Sequence, residues 1–318
     1  MSESSITAVG GFRVGQVEAV GEGWLTGVSV ILPPPGTRAA AEIGGAAPAT
    51  REIAALRPGG ATATPHAVVF TGGSSYGLVA AHGVMRFLAG KGVGHRVGPE
   101  AGQVVPIVPG AAIYDLGRGG DFSRVPTEQM GHDAAQAAWL QPPGAPVARG
   151  SVGAGVGAAL DNEASKGGVG SAAAQFAADG SNLTVGAFTV VNAFGVPIEA
   201  GRTPLAPALR AVPHPGFPPL NTVLIALATD AELDSGDLAR TAAAGLIGLA
   251  RSIDPTQTLA DGDTSIALAT GAIRPPAGVW PRDTLIALQA TAARVVEAAI
   301  ADAVASAAEV RTSAVWLR

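Results

Sequence analysis

Residues 218–230 read PPLNTVLIALATD, in which a proline-rich approach leads directly into an apolar run. The run from 222 to 230 is typical of a buried strand, and Asn221 and Thr222 lie where it begins. Turn chemistry explains this pair, because Asn favours turns and Thr favours strands. A second interpretation is that the Asn221–Thr222 bond is cut, which leaves Thr222 as a new N-terminus. The rest of the sequence has to decide between the two.

The composition predicts a folded protein with a closely packed backbone. The chain has 318 residues, of which 47% are apolar and only 14% are charged, and it contains 44 glycines. Soluble domains usually contain about 25% charged residues. We therefore expect large buried surfaces built from small side chains, and an oligomer that buries the surplus apolar area. The length suits one large domain or two ordinary ones.

Several classes of function lack their usual signals in this sequence. The net charge is −5 and no basic run is present, so nucleic-acid binding is not expected. The absence of cysteine excludes disulfides, thiolate metal sites and cysteine nucleophiles. The five histidines form no HxxxH or HExxH pair, so no metal site is predicted. Neither a signal peptide nor an unbroken membrane-length apolar run is visible, and we expect a cytoplasmic protein.

Strand-like and helix-like patterns both recur along the chain. Short apolar runs bounded by Gly and Pro predict strands at 27–34, 66–73, 103–110, 183–195 and 222–230. Helical patterns cover 77–89, 235–253 with a cap at Ser235, and 281–310 after Pro281. Exposed loops are predicted at 141–149 and at 201–219. The second contains six prolines and ends just before Asn221, where a cut would not disrupt a sheet.

The motif DGDT at 261–264 is the first candidate for chemistry. Asp261 and Asp263 flank a glycine in a turn that enters a strand, and such a pair can hold an ammonium group or share a proton. A solvated turn is the alternative interpretation. Asp261 lies 39 residues after Thr222, the length of one strand and one helix. A strand–helix–strand unit returns beside its first strand, so we expect DGDT close to Thr222.

Three further segments carry weaker signals. The glycine-rich stretch 151–174 contains Lys166 but no Walker pattern, which favours exposed backbone N–H groups beside a cation over nucleotide binding. Asn192 follows a strand-like run and suits either an oxyanion donor or a turn. Ser74 and Ser75 lie in a strand–turn–helix junction that does not match GxSxG, so a serine hydrolase with an intact chain is an unsupported alternative.

Taken together, these segments resemble one enzyme family. The matching blocks span nearly the whole chain, at 11–18, 44–52, 68–88, 105–121, 150–158, 166–172, 221–231 and 261–271. The sequence resembles the self-processing aminopeptidases, which include the DmpA-type L-aminopeptidase/D-esterases and the β-peptidyl aminopeptidases. Within them it is most similar to the branch of the nylon-oligomer (6-aminohexanoate oligomer) hydrolases.

The resemblance implies a fold and a maturation step. The fold is α/β, a four-layer αββα sandwich of the N-terminal-nucleophile (Ntn) hydrolase-like type, formed by a single domain over 1–318. The precursor cuts itself into an α chain, 1–221, and a β chain, 222–318. The two chains remain together as an αβ heterodimer, which forms a homo-oligomer, often of four αβ units. No cofactor and no metal is implied.

The resemblance also implies a catalytic set. It consists of the nucleophile, the residue before the cut, two orienting carboxylates, oxyanion donors and a nearby tyrosine: Thr222, Asn221, Asp261, Asp263, Asn192, Lys166 and Tyr114. The lysine has two assignments. Lys166 matches the lysine of the KGG block, whereas Asn162 stands where the nylon-oligomer branch has its lysine.

The chemistry of an N-terminal threonine fits this residue set. A threonine hydroxyl needs a base, and a free α-amine with a pKa of about 7.7–8.0 can supply one. The predicted substrates are small peptides, or other amides such as 6-aminohexanoate oligomers. A short-peptide L-aminopeptidase/D-amidase-esterase or a β-aminopeptidase is the alternative activity. A non-catalytic oligomeric scaffold is a more distant alternative.

Overall fold

A computed structural model describes residues 4–60, 63–161, 163, 165–178, 180–198 and 220–308, and the backbone of 310, 311, 316 and 317. The predicted loop at 201–219 and position 162 lie outside the described residues. The helices are α1 (Ser74–Gly77), α2 (Ala80–Gly90), α3 (Glu128–Leu140), α4 (Ser235–Ala250) and α5 (Arg282–Ser306).

The strands differ widely in length, from two residues to twelve. In chain order they are β1 (Arg13–Gly21), β2 (Trp24–Leu32), β3 (Arg38–Ile43), β4 (Thr50–Arg51), β5 (Val68–Thr71), β6 (His95–Arg96), β7 (Val104–Val105), β8 (Gly110–Ala112), β9 (Ala159–Leu160), β10 (Ser165–Lys166), β11 (Gly168–Ala178), β12 (Ser181–Asn192), β13 (Val196–Pro197), β14 (Thr222–Ala231), β15 (Ile253–Asp254), β16 (Thr264–Ile273), β17 (Val310–Arg311) and β18 (Trp316–Leu317).

Two five-stranded sheets form the centre of the molecule. The first has the order β1-β2-β5-β8-β4 and the second β11-β12-β14-β16-β3. Most neighbours are antiparallel, but β5 pairs with β8 and β14 with β16 in parallel. Apolar side chains from both sheets, including Phe70 and Phe188, fill the space between them. Outside them, α2 and α3 cover the first sheet, and α4 and α5 cover the second. The layers are therefore αββα, as predicted.

The strand β14 lies at the centre of the second sheet and is buried on both faces. Val223, Ile225 and Leu227 pack on the side of α4 and α5. The alternate residues Leu224, Ala226 and Ala228 belong to the core between the sheets. A strand covered on both faces needs apolar residues at successive positions, which explains the continuous run at 222–231.

The unit β14–α4–β16 returns the chain beside its first strand, as the spacing predicts. The two strands are parallel, with Leu224 opposite Thr264. This register brings the DGDT turn next to the start of β14. The predicted cap of α4 was wrong by one residue, because the side chain of Asp234, and not Ser235, accepts the N–H of Asp237 at 2.8 Å.

Other boundaries also differ from the sequence-based predictions. The run at 103–110 is mostly irregular between β7 and β8, since Pro106 and Pro109 have no N–H to donate to a ladder. The helix at 77–89 is divided into α1 and α2. The helix α3 was missed because its buried residues are small (Gly131, Ala134, Ala135 and Ala138) and give no strong apolar stripe.

Glycines allow the outer helices to approach the sheets closely. A Cβ on Gly15 of β1 would collide with the backbone of α3, and one on Gly170 of β11 would collide with α5 at Ala299 and Ala303. The crossing of α2 and α3 is equally tight at Gly83 and Gly131. The high glycine content therefore supports backbone contacts between the layers, as the composition predicts.

The helix α5 is long and apolar enough to cross a membrane by length and composition alone. Nine of its side chains are nevertheless buried, Leu288, Val296 and Ile300 among them, and they pack in the core between α4, α5 and the second sheet. These contacts are those of a core helix.

The close contact at Gly170 gives a first prediction. Replacing Gly170 with Ala should lower the free energy of unfolding by at least about 2 kcal/mol, because α5 would have to move away from β11. Gly90 is the matched control: it ends α2, and a Cβ there meets nothing within 4 Å. Gly90→Ala should leave stability unchanged or raise it by up to about 1 kcal/mol. Urea titration of both variants checks this, and equal stabilities would contradict the close-contact explanation.

Candidate active site

Thr222 is the first residue of β14, and its side chain is almost completely buried. In the antiparallel pairing of β12 and β14 it lies directly opposite Asn192. Paired residues project to the same face of a sheet, which here is the face toward the first sheet. The Oγ1 hydroxyl of Thr222 donates to the carbonyl oxygen of Asn221 at 2.5 Å. The hydroxyl is therefore directed at the peptide group that precedes it.

The peptide group of Asn221 is held by the DGDT turn. The N–H of Asn221 donates to the carbonyl of Ala260 at 3.0 Å, and its own carbonyl accepts the N–H of Gly262 at 2.8 Å. These two bonds extend the parallel pairing of β14 and β16 by one bridge, between Asn221 and Asp261. The Asn221 carbonyl oxygen thus has two donors, the Gly262 N–H and the Thr222 hydroxyl, which together polarise the carbonyl group.

The carboxylate of Asp263 anchors the start of β14. Oδ1 accepts the N–H of Val223 at 2.7 Å, and Oδ2 accepts the hydroxyl of Thr256 and the N–H of Gln257 at 2.8 and 3.0 Å. Burial raises the pKa of Asp263 to about 6, and the neighbouring charge of Asp261 adds to this shift. A carboxylate with a pKa so close to neutrality can change its protonation state in the working range of an enzyme.

Asp261 stabilises the shape of the turn itself. Its Oδ2 accepts both the N–H and the hydroxyl of Thr258, at 2.8 and 2.6 Å. No described hydrogen bond joins either carboxylate to the hydroxyl of Thr222. The two aspartates therefore position the backbone around Thr222, and their predicted orienting of its hydroxyl and amine stays a prediction. Among the described residues, no group of three or more His, Cys, Asp or Glu is arranged to hold a metal ion.

The segment 44–49 packs against the DGDT turn from the other side. The N–H groups of Gly44 and Ala47 donate to the carbonyls of Asp263 and Asp261, each at 2.9 Å. A Cβ on Gly262 would lie 2.8 Å from both the Ala47 carbonyl oxygen and Thr222 Oγ1. Only glycine fits between these two groups, which explains the residue between the two aspartates.

Asn192 supplies an amide beside Thr222. Its Oδ1 accepts the Nη1 of Arg118 at 2.6 Å and the N–H of Ala159 at 3.0 Å. Its Nδ2 is buried and has no hydrogen-bond partner among the described residues. A buried donor without a partner costs free energy. Five other buried side-chain polar atoms of the described residues also lack a partner, so it is the position opposite Thr222 that points to a function such as stabilising an oxyanion.

Lys166 is buried and donates to the backbone instead of approaching Thr222. Its Nζ contacts the carbonyl oxygens of Gly155, Ala158 and Gly167 at 2.9, 2.9 and 2.6 Å. Burial lowers the pKa of Lys166 to about 7, with Arg118 adding to the shift and Asp115 opposing it. The three carbonyls favour the charged form. Lys166 therefore holds the turn that carries Ala159, and the N–H of Ala159 in turn binds Asn192. The predicted contact of Lys166 with the oxyanion stays a prediction.

Arg118 and Asp115 were not recognised from the sequence, although both lie in the block 105–121. Asp115 Oδ1 accepts the N–H of Gly73 at 2.6 Å and so fixes the turn before α1. Burial raises the pKa of Asp115 to about 6. Arg118 is buried beside Asn192. In the sequence, these two residues could be noticed only as charged residues in a glycine-rich segment. Charged residues are usually exposed, and only the fold shows that Asp115 and Arg118 are buried.

The remaining predicted residues make no described hydrogen bond to Thr222. Tyr114 lies two residues after β8 and is half-buried, and no described hydrogen bond joins it to Thr222. Ser74 has a positive φ of 51° at the start of α1, and its N–H donates to Ile113. No described hydrogen bond links Ser74 or Ser75 to a histidine. The serine alternative therefore gains no support from the geometry.

Comparison with known proteins shows the family of the chain. The model of peptidase family S58 matches residues 4–315. The chain belongs to this family. An uncharacterized aminopeptidase of Mycobacterium tuberculosis strain H37Rv is 42% identical over 306 residues, which cover 87% of this chain and 85% of the relative. A second, from Mycobacterium leprae, is 43% identical over 298 residues, covering 85% of this chain and 79% of its own. This S58 protein is thus a peptidase, which confirms the predicted class of enzyme and sets aside the non-catalytic scaffold.

Solved structures confirm the predicted fold. A β-aminopeptidase of Burkholderia sp. superposes with a TM-score of 0.77 at 25% identity, covering 100% of this chain and 90% of its own. The L-aminopeptidase D-Ala-esterase/amidase of Ochrobactrum anthropi gives a TM-score of 0.76 at 20% identity, covering 99% and 90%. It is named as a prototype for the serine aminopeptidases with a variant of the Ntn hydrolase fold. The S58 protein shares this architecture.

The three carbonyl contacts of Lys166 give a second prediction. Lys166→Met keeps the volume of the side chain but leaves the three carbonyls without this donor, so the free energy of unfolding should fall by about 1–3 kcal/mol. Lys91 lies exposed at the end of α2, and Lys91→Met is the matched control, with an expected change within about 0.5 kcal/mol. The measurement is the thermal unfolding of both variants beside the wild type. A Lys166→Met protein as stable as Lys91→Met would show that the ammonium group does not hold the turn.

Proposed function

We propose that the S58 protein is a self-processing amide hydrolase in which Thr222, freed by cleavage of the Asn221–Thr222 bond, is the N-terminal nucleophile. The observation that carries the proposal is the short contact between Thr222 Oγ1 and the Asn221 carbonyl, whose oxygen also accepts the Gly262 N–H. A nucleophile and a polarised carbonyl are thus held together in the uncut chain. On this proposal the mature enzyme consists of an α chain, 1–221, and a β chain, 222–318.

The proposed cleavage proceeds through an ester. Thr222 Oγ1 attacks the Asn221 carbonyl carbon, and the negative oxygen that forms keeps its bond from the Gly262 N–H. The C–N bond then breaks and the nitrogen takes up the proton of the hydroxyl, which leaves Asn221 esterified to Thr222 Oγ1. Water hydrolyses the ester to an Asn221 carboxylate and a free Thr222 hydroxyl. The new α-amine, with a pKa of about 7.7–8.0, can serve as the base in later turnovers.

Burial in the uncut chain supports an inactive precursor. Thr222 is 5% exposed, Asn221 3% and Asn192 is fully buried, so an external amide cannot reach the nucleophile. Cleavage frees Asn221 from its covalent link to β14, and its movement would uncover Thr222 and the unpaired Asn192 Nδ2. A substrate carbonyl placed at Thr222 would then find this donor ready for its oxyanion.

We propose short amides with a free amine as the substrate class. The aminopeptidase names of the relatives support peptides or amino-acid amides. The likeness to the nylon-oligomer branch makes 6-aminohexanoate oligomers a narrower candidate. A parallel assay of L-Ala and D-Ala amides, a β-Ala peptide and a 6-aminohexanoate dimer tests the choice. Hydrolysis of none of them by the processed enzyme would contradict this substrate class.

The nucleophile is tested with two substitutions that differ by one group. Thr222→Ala removes the hydroxyl and should leave a single uncut chain, with amide hydrolysis lowered by at least about 1000-fold. Thr222→Ser keeps a hydroxyl at the same position and should still be cut and active. Denaturing gels and rates of amide hydrolysis are the measurements. Cleavage at the same bond in Thr222→Ala would exclude Thr222 as the nucleophile.

The raised pKa of Asp263 predicts how self-cleavage depends on pH. Protonation below pH about 6 turns one of the two carboxylate oxygens into a hydroxyl and so weakens the hydrogen bonds from Val223 or from Thr256 and Gln257, and cleavage of freshly folded precursor should slow as the pH falls through 6. The pKa is raised above the ordinary 3.8, so the folded chain binds this proton more tightly than the unfolded chain. Through this group, stability therefore rises as the pH falls from 6 toward 4, and slower cleavage there would not report unfolding.

Asp263→Asn provides the control for this pH dependence. The amide resembles the protonated acid, so cleavage of the variant should be slow at every pH and should lack the step near pH 6. The measurement is the fraction of cut chain over time between pH 5 and 8. A wild-type rate that stays constant across this range would contradict the proposed function of Asp263.

A further inference from the structure

We propose that Arg118 is a positioning residue that fixes the orientation of the Asn192 amide and thereby directs Nδ2 to the oxyanion. This inference rests on the proposed function of Thr222 and Asn192. Arg118 lies 74 residues before Asn192, on a loop after β8, and is only 2% exposed. It does not belong to the catalytic set implied by the family resemblance.

The guanidinium group of Arg118 binds three other segments of the chain, at Asn192, Gly157 and Glu163. Nη1 donates to Asn192 Oδ1 at 2.6 Å and to the Gly157 carbonyl at 2.7 Å. On the opposite side, Nε and Nη2 both donate to Glu163 Oε1, at 3.0 and 2.8 Å. A planar group bound on two edges has little freedom to rotate. The position of Nη1 against Asn192 is therefore fixed by Gly157 and Glu163.

The hydrogen bond from Arg118 determines which side of the Asn192 amide carries the oxygen and which carries the NH₂ group. Both groups that contact Oδ1, Arg118 Nη1 and the Ala159 N–H, are donors and can accept nothing. If the amide were turned over, its NH₂ group would meet two donors, and both hydrogen bonds would be lost. The oxygen of Asn192 is thus held on the side of Arg118. The NH₂ group remains on the other side, buried and without a partner among the described residues.

The orientation of the Asn192 amide matters because this residue lies beside Thr222 in the sheet. Asn192 ends β12 and is paired with Thr222, so both side chains project from the same face at neighbouring positions. Without Arg118 only the Ala159 N–H would hold Oδ1, and turning the amide over would cost one hydrogen bond instead of two. Arg118 acts through Asn192, and it need not touch the substrate.

A double-mutant cycle tests this dependence in the processed enzyme. With an L-alanine p-nitroanilide substrate, Arg118→Met should lower kcat by about 10- to 100-fold and change KM by less, because a misdirected donor loses part of the roughly 100- to 1000-fold that one oxyanion donor contributes. Asn192→Ala should lower kcat by a similar or larger factor. In the Asn192→Ala background, adding Arg118→Met should change kcat by less than about twofold. Multiplied losses in the double variant would overturn the proposal.

Two further variants separate positioning from charge and from folding. Arg118→Lys keeps the charge but cannot bridge Asn192 and Glu163, so it should restore less than half of the lost kcat. Arg149→Met breaks the ion pair of Arg149 with Asp302, 3.0 Å long and partly exposed, and should leave kcat unchanged. Full recovery in Arg118→Lys would overturn the positioning function and favour a purely electrostatic one.

An NMR measurement tests the orientation without any activity. The chain has only four asparagines, at 162, 182, 192 and 221, so selective ¹⁵N-Asn labelling gives four side-chain NH₂ signals. The Asn192 NH₂ group, assigned by its loss in Asn192→Ala, should give one sharp pair of proton cross-peaks in the wild type, and a broadened pair or two pairs in Arg118→Met. An unchanged signal would overturn the proposal. If the wild-type chain neither cuts itself nor hydrolyses amides, the proposed function fails, while this measurement still decides whether Arg118 holds the amide.

Discussion

The pair of backbone hydrogen bonds between Asn221 and the DGDT turn is the constraint on which the rest of the site depends. Asn221 donates to Ala260 and accepts from Gly262, which extends the parallel ladder of β14 and β16 by one residue. This extension fixes the peptide group before Thr222 in a sheet that is buried on both sides. The Thr222 hydroxyl then lies against the Asn221 carbonyl, and no histidine of the described residues hydrogen-bonds to it.

A polar site at this position requires many compensating contacts, because it lies at the end of a sandwich filled with apolar side chains. The carboxylates of Asp261 and Asp263 are satisfied by the loop at 256–258 and by the N–H of Val223, and Lys166 is satisfied by three carbonyls. Buried polar groups are normally paired in this way. Asn192 Nδ2 departs from the rule, as do five other buried side-chain polar atoms of the described residues, and it is the one that belongs to the residue paired with Thr222.

The sequence predicts the central strand unit well because its signals are local. The apolar run at 222–230, the helix after it and the DGDT turn 39 residues later predict the neighbourhood of Thr222 and Asp261 by topology alone. The pairing of Asn192 with Thr222 depends on the antiparallel register of two distant strands, and no spacing rule gives it. Arg118 could not be assigned from its type, since it becomes buried only when three separate segments meet around it. The helix α3 was missed for a related reason, because its buried face consists of Gly and Ala.

The most direct test of the account is the intact mass of freshly purified protein under denaturing conditions, combined with N-terminal sequencing of each species. The account predicts two chains whose masses correspond to 1–221 and 222–318, the second beginning Thr-Val-Leu-Ile. A single full-length chain that persists after long incubation at neutral pH would contradict it, as would a cut at any other bond. In either case Thr222 would be a threonine that begins a strand, and the S58 protein would need another nucleophile.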